Sequence, residues 1–196
     1  MFISLGGTAQ RMTREVIDAT RINTIHINTD EVFRIKLRAT STSTISIQTR
    51  SEGEYYNDIT LESSIKADRF ELTSRYPEIL TGGYDKLSAH KVFSLEIEME
   101  IPEGMEVVIR SNLASVMATG NYKAFYTDLK QGHCELLSFS GQAVVNTYSG
   151  DILIETGTGL IEAHSRNGEV IVPEFLPGRN PLKLTSIDGD IMVRKN

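Results

Sequence analysis

The chain has a single cysteine, no tryptophan, five prolines and only 7% aromatic residues in 196. One cysteine, Cys134, excludes an intrachain disulfide, and no Cys/His spacing in the sequence matches a zinc site. No apolar run is long enough to span a bilayer as a helix, so no membrane insertion is expected. Positive charge is also scarce: the net charge is −6, and no lysine or arginine cluster exceeds two or three residues. Nucleic acid or an anionic membrane would have to be bound against the overall field, which argues against both as partners. Nucleotide-binding and hydrolase motifs are missing too: there is no P-loop, no G-x-S-x-G and no H-E-x-x-H. No catalytic, cofactor-binding or metal-binding residues are therefore assigned.

What is present is a ruler. Of 15 glycines, five fall at intervals of nine: Gly132, Gly141, Gly150, Gly159 and Gly168. The rows between them, HCELLSFSG, QAVVNTYSG, DILIETGTG and LIEAHSRNG, align in nine columns. Column two holds Cys134, Ala143, Ile152 and Ile161, and column four holds Leu136, Val145, Ile154 and Ala163. Positions two apart share one side of an extended strand, so each row predicts a short strand with its apolar side turned inward. Glycine after Ser, Thr or Asn supplies the corner. A nine-residue strand cannot bury its apolar side alone, so the rows are expected to stack. Two rows per coil would make a flattened β-solenoid, or β-roll, of 18 residues per turn.

The register continues through EVIVPEFLP and resumes in PLKLTSIDG and DIMVRKN, with extra residues at 178–180 and between Gly120 and Gly132 expected to form bulged corners. Calcium-binding β-rolls share the period but place an aspartate in each turn; Asp151 and Asp190 do not recur in every row, so no calcium is expected. Upstream, segments 22–28, 32–39, 43–49, 59–65, 69–75 and 92–102 alternate apolar and polar residues as strands do. Residues 76–91 are expected to form a loop, and RMTREVIDATR at most two turns of helix. The expectation is an all-β chain: residues 1–14 as an N-terminal tail, then one domain over 15–196, with an irregular strand half at 15–111 and a repeat half at 112–196. The tail reads either as a disordered end or as the remnant of a secretory signal cleaved after Gly7-Thr8-Ala9, which would leave Gln10 as the mature start.

The step IPEGMEVVIRS followed by repeats of the form G-D-I-x-I-x-T-x-x-G resembles the bacterial putative-adhesin domain family. Gly150, Asp151, Ile152, Ile154, Thr156 and Gly159 carry the resemblance, and Gly189, Asp190, Ile191 and Val193 echo it. That family is of largely unknown function. The resemblance implies a non-enzymatic β-solenoid in an envelope-associated protein, periplasmic or extracellular, acting as a binding or structural module whose partner would be a protein or glycan at the cell surface. It brings no catalytic residues with it.

Surface candidates come from outward column seven, where Phe139, Tyr148 and Phe175 stand. Such rings can stack on sugars or pack against a partner. With two rows per coil, Phe139 and Tyr148 fall on opposite faces, so a continuous aromatic stripe and strong glycan stacking are not expected. The plainer alternative is that these rings cover a corner or dock on the N-terminal strands. His133 and His164 occupy outward columns without recurring partners and are expected on the surface, as are Glu96, Glu98 and Glu100. Two other functions remain in view. A cytoplasmic scaffold polymerising through its end coils is opposed by the charged terminal VRKN, which would blunt an edge. A carbohydrate-active β-helix would need an acidic cleft that the sequence does not display.

Overall fold

A computed structural model describes residues 10–30, 32–53, 60–75 and 93–196. All its regular elements are strands, and no helix long and apolar enough to cross a membrane occurs among the described residues. The expected loop at 76–91 lies outside them.

The strands are β1 (Gln10–Asp18), β2 (Thr24–Thr29), β3 (Arg34–Thr40), β4 (Thr44–Gly53), β5 (Thr60–Lys66), β6 (Arg69–Arg75), β7 (Phe93–Pro102) and β8 (Glu106–Ser111), followed by β9 (Ser115–Gln131), β10 (Cys134–Ser149), β11 (Ile152–Thr156), β12 (Leu160–Ser165), β13 (Val170–Ile171), β14 (Pro181–Asp188) and β15 (Ile191–Arg194). They form one mixed sheet of 15 strands. The sheet divides into two wings because β9 and β10 are long and each changes partners part-way along. The first halves of β9 and β10 belong to the wing β1-β4-β7-β3-β9-β10-β11-β15-β13. Their second halves pair into the wing β5-β6-β2-β8-β9-β10-β14-β12.

Alternation supplies the core. Ile25, Val107, Phe125, Ala143 and Leu182 form one inward row across the second wing, and Ile27, Ile109, Thr127, Val145 and Leu184 the next. Across the first wing run Ile97, Ile35, Val116, Cys134, Ile152 and Ile191. All these residues are buried, and nearly all belong to a single apolar cluster. From β8 to β11 the pairing is parallel and residue i meets residue i+18, as Val116 meets Cys134 and Cys134 meets Ile152.

Four details depart from the sequence reading. The first is β1, which is a strand and not a helical turn: it lies antiparallel along β4, Ile17 opposite Ile45. The second is the order of the last strands. Rows stacked in chain order would set Ile161 against Ala143, but β14 enters between them, so Ala143 meets Leu182 and Leu182 meets Ile161. Likewise β15 lies between β11 and β13. Leu182 and Leu184 become fully buried, while the smaller pair Ile161 and Ala163 takes the half-exposed edge position. That exchange removes more apolar area from water than chain order would. Residues 172–180 are accordingly a return connector and not a bulged corner, with Leu176 buried. The charged VRKN segment therefore does not blunt the outer edge; β15 is an interior strand.

The third departure is at Gly120–Gly132, where β9 runs on as one bent strand. Tyr122 fills the bend, stacked on Phe139 with ring centroids 5.7 Å apart and edge-on to Phe125 at 5.1 Å. The fourth is Phe139 itself, which is buried and does not face outward. The aspartates that follow corner glycines also act locally. Asp151 Oδ1 accepts the Asp190 N–H and Asp190 Oδ1 accepts the Glu169 N–H, each at 2.8 Å. They tie each corner to the next.

Candidate functional site

Outward residues align as strictly as inward ones. Across the first wing, Glu96, Glu98 and Glu100 of β7 stand opposite Arg34, Lys36 and Arg38 of β3. Lys36 Nζ lies 2.8 Å from Glu98 and Arg34 3.3 Å from Glu96. The glutamates do face outward, as their alternation predicts, and they sit in a ladder of exposed ion pairs worth little individually.

The second wing is different. One outward row comprises Asn28, Arg110, Asp128, Asn146 and Thr185, contributed by β2, β8, β9, β10 and β14. The row beside it contains Lys130, Tyr148 and Ile187. Together they line an open groove of about 510 Å³. Asp128 organises its floor: Asn146 Nδ2 donates to Oδ1 at 2.8 Å, and Arg110 Nε lies 3.6 Å from Oδ2. Tyr148 stands over the groove, 59% exposed. A smaller hollow of about 190 Å³ adjoins it, sharing Asn28 and Arg110 and adding His26, Glu71 and Thr73. There partial burial, then the Arg69 guanidinium, lowers the His26 pKa, so this imidazole holds its proton less readily than a free one. Glu71 is held below the usual carboxylate range by the Lys66 ammonium, which donates to it at 2.6 Å. The site offers amides, a fixed carboxylate, a guanidinium and one ring face to a ligand lying across the strands.

Of the three sequence candidates, only Tyr148 lines this groove. Phe139 is 2% exposed and belongs to the core. The reason is a bulge: Ser138 takes φ of +47°, the β9–β10 and β10–β11 registers shift there, and the side chains beyond it exchange sides. Phe175 is exposed, at 74%, but it sits on the 172–180 connector and does not line the groove. The partners that sequence reasoning missed carried a readable signal. Arg110, Asp128 and Asn146 are spaced by 18, as are Asn112, Lys130 and Tyr148, which is the pairing register of β8, β9 and β10. His133 is exposed on the surface, with Ser115 Oγ 3.2 Å from its Nδ1.

Among the described residues, no three His, Cys, Asp or Glu side chains converge as metal ligands would. Cys134 is fully buried, and desolvation pushes its thiol pKa up to about 12. Because the native thiol stays protonated where the unfolded thiol ionises, this residue costs stability as pH rises above the ordinary thiol range. Its reaction with maleimide at pH 7 is expected only at the rate of unfolding, accelerating sharply in denaturant. Rapid labelling of the native protein would place the thiol elsewhere.

No protein-family model and no curated protein matches the chain. Solved structures do. A putative cell adhesion protein from Clostridium sporogenes superposes with a TM-score of 0.70 at 13% identity, covering 96% of this chain and all of that one. A putative adhesin from Bacteroides fragilis, at 8% identity over 95% and 97% of the two chains, gives 0.39. Another from Parabacteroides distasonis, at 11% over 95% and 93%, gives 0.31. The first shares the fold of this chain from end to end, in keeping with the resemblance carried by the G-D-I-x-I-x-T-x-x-G repeats.

Proposed function

We propose that the chain is a flattened β-solenoid acting as a non-enzymatic, adhesin-like binding module of a bacterial cell envelope, with its ligand laid in the groove of the second wing. The solenoid reading rests on the 18-residue parallel register of β9, β10 and β11. The groove carries the functional reading, because Asp128, Arg110 and Asn146 are already hydrogen-bonded or paired in place beside an exposed ring. A rigid site of this kind loses little entropy when an extended polar chain, protein or glycan, lies across it. The adhesin-like role and the envelope location are supported by the fold shared with the putative cell adhesion protein of C. sporogenes.

Beads coated with the protein are expected to be retained on intact bacterial cells. Tyr148→Ala and Asp128→Ala should each reduce retention about tenfold, the scale of one lost stacking or charge-assisted contact. Phe175→Ala should leave it unchanged. Protease or periodate treatment of the cells then tells a protein ligand from a glycan. Equal retention of Tyr148→Ala and wild type would remove the groove from the function, and release of reducing sugar from polysaccharides would make the protein an enzyme.

A further inference from the structure

At the end of the molecule away from β1 and β5, two strands have a neighbour on one side only among the described residues: β12, beside β14, and β13, beside β15. Exposed apolar side chains gather there. Leu160 is 65% exposed and Phe175 74%, with Val170, Ile171 and Val172 also open. An edge with free backbone groups and apolar flanks is a template for another strand. The backbone specifies which residues that strand would meet. The Leu160 N–H donates to Asn180 and the Arg166 N–H to Ser186, so the even-numbered residues turn toward β14. Backbone groups alternate sides in an extended strand, so Ile161, Ala163 and Ser165 turn theirs outward.

The geometry points to a second copy of this chain as the occupant, its β12 antiparallel to the first about a two-fold axis at Ala163. Only registers that set odd residues against odd satisfy the backbone. Centring on Glu162 would oppose two carboxylates, which is destabilising. Centring on His164 would oppose two imidazoles and leave Leu160 and Ile161 without partners. Centring on Ala163 pairs Ile161 with Ser165 and sets Glu162 opposite His164, twice by symmetry. Both side chains are exposed on the outer side, and Glu162 is held near Lys183 at 3.5 Å. Inward residues stay inward, so the row Leu184, Ala163 continues into the other copy. Leu160 comes to lie along the alkyl stem of Arg166. A two-fold contact closes on itself, so the product is a dimer and not a filament.

Sedimentation over a concentration series is expected to show a dimer that separates on dilution. Ala163→Pro removes the amide at the centre of the contact, at an edge position where the monomer makes no ladder bond with it. It should weaken dimerisation about tenfold or more with the far-ultraviolet circular dichroism unchanged. Glu162→Lys should weaken it as well, and adding His164→Glu should restore it, because each introduced lysine then faces an introduced glutamate. In the register centred on His164, Glu162 would face Arg166 and the exchange would not restore anything. If Ala163→Pro fails to fold, the charge exchange carries the test alone. A protein that is monomeric at every concentration, an open series of larger species, or a dimer indifferent to these substitutions overturns the proposal, as does a failed rescue.

Discussion

Ile154→Asp is expected to leave the protein largely unfolded at neutral pH. Ile154 is completely buried, with Leu136 beside it on β10 and Val193 on β15. Removing its side chain alone costs on the order of 2–5 kcal/mol. The replacement carboxyl has no donor among those apolar neighbours and adds its own desolvation penalty. The sum approaches the whole stability of a typical domain, about 5–15 kcal/mol. Burial would raise the folded-state pKa of the new carboxyl, so the unfolded chain ionises first and the deficit grows as pH rises above the ordinary carboxylate range. It should shrink again toward pH 4, near the ordinary carboxylate pKa, below which both states carry a proton. Glu155→Ala, one position along and turned outward, should change stability by no more than about 0.5 kcal/mol. Thermal melts of the two variants at pH 4 and 7 decide this, and equal losses would mean the alternation along β11 is misassigned.

That contrast of neighbours is also what made most of the fold legible. Alternation in 22–28, 32–39 and 69–75 places β2, β3 and β6 within a few residues, because a strand buried on one side must alternate. β1 escaped for the complementary reason. Met12 and Val16 are more than half exposed and only Ile17 packs partly against the core, so its sequence carries no such constraint. Its conformation is imposed by the free edge of β4, which lies far along the chain. The insertion of β14 between β10 and β12 was invisible because every row presents the same columns; the choice turns on whether Leu182 or Ile161 takes the interior. Phe139 was lost to one residue, Ser138, whose bulge inverts an otherwise sound count. The groove was half legible. Tyr148 stood in an outward column, and stepping back 18 residues at a time leads to Lys130 and Asn112, while Asn146 leads likewise to Asp128 and Arg110. What the sequence could not supply was Thr185 and Ile187, which reach the groove only through the strand that arrives out of order.

The glycine ruler itself gives the second large effect. Gly150→Ala is expected to cost about 3 kcal/mol, at the upper end for overpacking. A Cβ at Gly150 would stand 2.0 Å from the carbonyl oxygen of Gly132 and 2.6 Å from its carbon, and that neighbour is backbone, which cannot rotate aside. The same approach repeats up the corner: Gly189 lies against the Gly150 carbonyl, and Gly168 against that of Gly189. Two intervals of nine separate the stacked corners Gly132 and Gly150, so every second glycine of the ruler marks a close approach of corners, and a methyl group at Gly150, Gly168 or Gly189 must wedge two strands apart. For Gly150 the displaced ladder is β10 against β11, beginning at the buried pair Cys134 and Ile152. Gly150 also has a positive φ, +153°, so Gly104→Ala gauges the backbone share of that loss. Its φ is +76°, yet nothing lies within 4 Å of its would-be Cβ. It should lose only about 1–2 kcal/mol, the cost of a left-handed residue. Chemical denaturation of both variants provides the comparison. If Gly104→Ala proved as costly as Gly150→Ala, the ruler would reflect turn conformation, and the stacked corners would not be what fixes the period.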